Sequence, residues 1–218
     1  METPLMSSFL VIVHLLILMF YLGGGNAIES PQYTVVLSES DFEVRLYRET
    51  SWITALVQGT SSFKKATKDG FHRLYKYIHG SNLNSSIIPI SAPVLTTINA
   101  SSPNEGGSEY YVRLFLSAIY EKPPLPSPEL NLQLFKWKSH CIAVREFSGF
   151  AKDDNINKEL EALKNSLNKH VDGKTSMVED KSSYSIAQYN SSREPTERLN
   201  EVWINVSGSA AEGCLNHK

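Results

Sequence analysis

The side chains with the most chemistry to offer lie in one short stretch, "KKATKDGFHRLYKYIHG", from Lys64 to Gly80. Lys65, Lys68, His72 and Lys76 recur every three or four residues, which on an α-helix places them in one row. Phe71 and Tyr75 flank that row. Ammonium groups hold carboxylates through charge-assisted hydrogen bonds. Aromatic rings beside them offer a stacking floor for a flat apolar body. Together they suit an acidic, planar, largely apolar ligand. A lysine-rich face opposite an apolar face is also what an ordinary solvated helix shows. The elements around the row therefore decide its meaning.

The helix that carries the row spans roughly 61–79. Phe63, Ala66, Gly70, Phe71, Leu74 and Ile78 give it a core face, and His79-Gly80 ends it. Three strands precede it by alternation of apolar and polar residues: "YTVVL" (33–37), "FEVRLY" (42–47) and "SWITALV" (51–57). "IIPISAPVLTTI" (87–98) is β-rich, and its two prolines predict an edge or bulged strand. "EYYVRLFLSAIY" (109–120) is a strand, and "EKPPLPSP" (121–128) is a stiff connector.

The order then begins again. "NLQLFKW" and "SHCIAVREF" read as strands. Asp153 or Asp154 can cap a helix running to about His170, with Ile156, Leu160, Leu163 and Leu167 inside. "SSYSIAQY" and "NEVWINV" close the series. Ser51–Val57 lines up with Ser139–Arg145. The chain thus predicts a duplicated strand-strand-helix-strand-strand unit, over about 31–120 and 129–207, within one domain at 28–207. The fold class is α+β: an antiparallel barrel-like sheet with one helix packed on each half.

The totals narrow the function. The chain has 218 residues, a formal net charge of -2 and 20% charged side chains. This balance does not suit electrostatic nucleic-acid binding. Residues 1–27 read as a secretory signal peptide, with an apolar run from Phe9 to Leu22 and a small-x-small site at Gly25-Asn26-Ala27. That run is short of the ~20 residues a membrane span needs, so no stable span is expected after cleavage. An uncleaved anchor beginning near Leu5 is the other reading, since Met1–Ser8 carries no Lys or Arg. The expected location is the secretory pathway, either outside the cell or in an endomembrane lumen. Asn84, Asn99, Asn190 and Asn205 head glycosylation sequons, the first three in loop-like sequence. Cys141 and Cys214 form a disulfide or remain a buried thiol and a thiol in the 208–218 tail.

Five segments together resemble the SOUL heme-binding protein family. They are "FEVRLY", "GFHRLYKYIHGSN" (70–82), "IPISAPVLT" (88–96), "VREFSGFA" (144–151) and "YNSS…LNEVWINV" (189–206). The leader and the cysteine pair resemble the plant members. The resemblance implies a duplicated antiparallel barrel with two helices. It implies non-catalytic binding of heme or another tetrapyrrole in a shallow apolar cleft beside the first helix, for transport or buffering. It places two propionate-binding basic residues at Lys68 and Lys76, with Phe71 and Tyr75 as ring neighbours. His72 is added as a candidate iron ligand. Where some members carry a proposed axial histidine this chain has Leu46, leaving His72, His79, His140, His170 and His217.

Two other classes stay open. The barrel also resembles bacterial effector-binding and hydrolase-like small-molecule domains that place a carboxylate inside. Glu201 is the candidate for that role, as against a strand residue bonded to Arg198 or backbone. The helix and the proline-rich connector could instead serve as a protein-interaction module. No nucleophile elbow, metalloprotease motif or phosphate loop is present in the sequence.

Overall fold

The computed structural model describes residues 28–99, 108–120, 122–170, 182–190, 198–206 and Cys214. The leader, His217 and all of the 208–218 tail but Cys214 lie outside them. Among the described residues there are nine strands: β1 (Tyr33–Ser38), β2 (Glu43–Tyr47), β3 (Thr50–Val57), β4 (Val94–Asn99), β5 (Glu109–Leu116), β6 (Leu132–Trp137), β7 (His140–Ser148), β8 (Ser183–Gln188) and β9 (Leu199–Asn205). Helix α1 (Phe63–Ile78) follows β3, and α2 (Asp153–His170) follows β7. Among the described residues no helix is long and apolar enough to cross a membrane.

All strands join one antiparallel, barrel-like sheet in the order β1-β2-β7-β9-β8-β4-β5-β3-β6. The order shows how the duplication closes. Each half keeps three strands together, β7-β9-β8 and β4-β5-β3; the first half gives its β1–β2 pair to the second, and the second gives β6 to the first. Strand β2 pairs with β7, and β6 pairs with β3. The halves also meet directly where Thr96 stands opposite Ile186.

Alternation along each strand separates two faces. Val44, Val112, Ala143, Ile186 and Val202 point to the helices and share one core with Phe63, Leu74, Leu160 and Leu163. Trp52, Leu95, Phe115, Ile142 and Trp203 point the other way and form a second apolar cluster. Gly70 lets α1 approach β5 closely: a Cβ there would meet Val112 Cγ2 at 2.5 Å.

The two helices share one carboxylate. Asp153, the first residue of α2, accepts from Ser62 Oγ at 3.0 Å and from the Phe63 amide at 2.5 Å. That amide is one of the unpaired donors at the positive end of α1. The Ser62 side chain accepts from the Lys65 amide and caps the same end. The disulfide between Cys141 and Cys214, with Cα atoms 6.2 Å apart, packs onto the helix-side core.

Three expectations need correction. The 87–98 segment is not an edge strand: β4 begins at Val94, after both prolines, and lies between β5 and β8 with its donors intact. Asn99 ends that strand half-buried, accepting from Ser183 Oγ at 2.8 Å, and is not in a loop. Phe71 does pack half-buried against the core, but Tyr77, absent from the expected core face, is fully buried and donates its hydroxyl to Pro124 O at 2.8 Å.

Gly70→Ala is predicted to destabilise the fold by ~1–3 kcal/mol, the usual cost of overpacking a filled core. A denaturant midpoint unchanged from wild type contradicts the close α1–β5 contact.

Candidate functional site

The row on α1 emerges into solvent. Lys68, His72 and Lys76 are all exposed, whereas Lys65 is tied to Asp69 at 2.5 Å. The Lys65 hydrogen bond holds the Asp69 carboxyl below its usual range. Lys68 and Lys76 stand about 12 Å apart along the axis, at ~1.5 Å per residue.

Beside the row runs a ladder of rings. Phe71 and Tyr75 lie 6.1 Å apart and tilted, and Tyr75 stacks on His79 at 3.9 Å. The spacing of four residues puts all three on one flank. His79 Nδ1 lies 2.8 Å from Tyr75 O. A carbonyl only accepts, so Nδ1 carries the hydrogen and neutral His79 has its lone pair on Nε2. Sequence reasoning placed His79 among several candidates and favoured His72. The local signal for His79 was its position four residues after Tyr75.

Apolar side chains gather at the end of this flank. Leu83, Ile87 and Leu125 are 62%, 68% and 58% exposed, and Tyr75 is 47% exposed. The backbone holds their segments together. His79 bridges to Ile87, Leu83 N donates to Leu125 O at 2.9 Å, and the buried Asn82 side chain ties Tyr77 O to Ser86 O. Exposed aliphatic groups beside stacked rings and free ammonium groups make a surface that favours a flat, acidic, apolar ligand.

The cleft beside β2 has the wrong charge pattern for such a ligand. A cleft of about 390 Å³ opens at the β1–β2 turn and β7, but Glu39, Asp41, Glu43 and Glu146 line it. Its arginines are already engaged: Arg145 pairs with Asp41 and Glu159, and Arg45 with Glu43, Glu146 and Glu201.

Glu201 is buried on the sheet face away from the helices, and its partner is Arg45, not Arg198. The exchange of β2 carries Arg45 there. Arg45 Nη1 lies 2.7 Å from Oε1, while Tyr189 OH and Trp203 Nε1 donate to Oε2 at 2.7 and 2.6 Å. Burial opposes the Arg45 charge, but Glu201 and the surrounding hydrogen bonds raise its pKa above the ordinary value. Burial and the Glu201 charge push the Tyr47 and Tyr189 phenols up. Three donors therefore occupy the carboxylate. Arg198 lies over the Phe150 ring at 4.5 Å and donates to Asn190 O.

The remaining candidates are scattered. Leu46 is half-buried against the helix-side core. His140 and His170 contact Lys138 O and Glu39, away from α1. Asn84 and Asn205 are exposed, and Asn190 is half-buried with its Oδ1 accepting from the Leu199 amide.

The fold agrees with the comparisons. The sequence model of the SOUL heme-binding protein family matches residues 28–205, and the chain belongs to that family. It is 28% identical to heme-binding protein 2 of Homo sapiens over 75% of this chain and 77% of that one. It is 27% identical to heme-binding protein 1 of Xenopus laevis over 75% of this chain and 82% of that one.

Glu201→Leu is predicted to cost ~3–5 kcal/mol, because Arg45 keeps a buried charge without its main partner. The Arg45→Met/Glu201→Leu double variant should recover most of that loss in a denaturant titration. A double variant no more stable than the single contradicts the pairing. Burial also pushes the Tyr77 phenol up to about 12. The folded chain then holds this proton after the unfolded chain has lost it. Stability should therefore be intact below pH ~10 and fall between ~10 and 12. Tyr77→Phe should reduce that fall, as thermal melts against pH would show.

Proposed function

We propose that this protein binds heme or a related tetrapyrrole on the outer flank of α1 and carries or buffers it without transforming it. The observation behind this reading is the Phe71–Tyr75–His79 ring ladder between exposed aliphatic groups and the Lys68 and Lys76 ammonium groups. A tetrapyrrole is an apolar disc with carboxylates at one edge. Covering the exposed side chains gains roughly 25 cal/mol per Å², and the two lysines hold the carboxylates. An iron tetrapyrrole supplies a metal that accepts a ring nitrogen, and His79 Nε2 is the group for that contact. His79 is better prepared than His72, because the Tyr75 carbonyl fixes its tautomer.

The disulfide and the exposed Asn84 and Asn205 sequons support passage through an oxidising, secretory compartment. A glycan on Asn84 would stand beside Leu83 and Ile87, at the rim of the patch.

Hemin titration of the full chain tests the reading through the Soret band. Lys68→Ala/Lys76→Ala is expected to weaken binding by about thirtyfold, at roughly 1 kcal/mol for each of the two exposed charge contacts. His79→Ala should alter the hemin spectrum, and His72→Ala should leave it unchanged. Unchanged hemin affinity in the double lysine variant rejects the site. Absence of binding by both hemin and protoporphyrin rejects the function.

A further inference from the structure

The sheet face away from the helices holds a second buried arginine. Arg113 is central in β5, between Thr54 of β3 and Leu95 of β4. Its neighbours Val112 and Leu114 point to the helices, so Arg113 points to the opposite face. It is 9% exposed. Among the described residues no carboxylate pairs with it, whereas Arg45 on the same face has three.

Three rings surround its guanidinium. Tyr111, Trp137 and Phe135 have centroids 5.2, 5.6 and 5.9 Å from Cζ. Its Nη1 donates to Thr97 Oγ1, and Thr97 in turn bonds Ser185 Oγ at 2.7 Å. Among the described residues its Nε has no hydrogen-bond partner, and neither does the buried hydroxyl of Thr54. Thr54 stands directly opposite Arg113 in the ladder, so the two side chains leave the sheet together. Leaving two buried polar atoms unsatisfied in adjacent positions is costly. Phe135 is 46% exposed, so the ring cage borders solvent.

We propose that this face carries a second site, for a small planar aromatic carboxylate, built on Arg113 and Thr54. A carboxylate matches the guanidinium fork and accepts from Nε, with the Thr54 hydroxyl as a further donor. The flat body lies among Tyr111, Phe135 and Trp137. Burial lowers the Arg113 pKa to about 10, so the arginine remains charged at neutral pH. The site lies across the sheet from α1 and does not depend on tetrapyrrole binding.

Benzoate is the test ligand, titrated against the full chain at constant ionic strength. The Arg113 Nε–H resonance and the Trp137 indole signal are followed by NMR. Saturable one-to-one binding is expected to move both. Benzamide, which has the same shape without the charge, should bind at least tenfold more weakly. Arg113→Met should reduce benzoate affinity at least tenfold, and Thr54→Val about threefold. Folding is checked by circular dichroism; if the methionine variant does not fold, Arg113→Lys retains the charge without the fork and should still lose affinity. Lys68→Ala/Lys76→Ala should leave benzoate binding unchanged, which separates this site from the one on α1. Equal binding of benzoate and benzamide, survival of benzoate binding in the arginine variants, or no movement of the Arg113 signal overturns the proposal.

Discussion

The Arg45–Glu201 ion pair ties the two halves of the chain on the sheet face away from α1 and α2. Arg45 lies on β2, from the first half, and Glu201 on β9, from the second. They meet because the first half gives its β1–β2 pair to the second. An isolated buried charge is expensive, and a pair with all its hydrogen bonds made is tolerated. Glu201 meets that condition through Arg45, Tyr189 and Trp203. Slipping β2 by one residue would turn Val44 out of the helix-side core and strand Arg45 among its apolar groups. The pair therefore fixes register as well as contact.

That arrangement assigns different work to the two faces. The helix side is a conventional apolar core sealed by α1, α2 and the Cys141–Cys214 bridge. It leaves the outer surface of α1 free, and the Leu83–Ile87 and Leu125 segments extend that surface beyond the last turn. The opposite face is rich in rings and carries its two arginines in contrasting states, Arg45 neutralised and Arg113 not.

Much of this was legible in the sequence where it depends on local periodicity. The repeated strand-strand-helix-strand-strand order follows from alternation and helical spacing, as do the core positions Ile156, Leu160, Leu163 and Leu167. What failed required knowledge of distant neighbours. Pro89 and Pro93 suggested an edge strand, yet both precede the ladder that makes β4 internal. Tyr77 was absent from the expected core face, because the acceptor that allows its burial, Pro124 O, comes from the connector. Arg198, three residues from Glu201, seemed its natural partner; Arg45, 156 residues away, became so only through strand exchange. Arg113 stood as one charge inside "YYVRLFL". Nothing local distinguishes a snorkelling arginine from a buried one without a counter-ion.

The central claim is that the tetrapyrrole rests on α1 and not on the ring-lined face of the sheet. Backbone amide NMR of the labelled full chain, titrated with diamagnetic gallium protoporphyrin, addresses it most directly. Shifts concentrated from Lys68 to Ile87 and at Leu125, with Arg45, Arg113, Glu201 and Trp203 unmoved, are the predicted result. Shifts concentrated on those four residues, with α1 unmoved, would contradict the account.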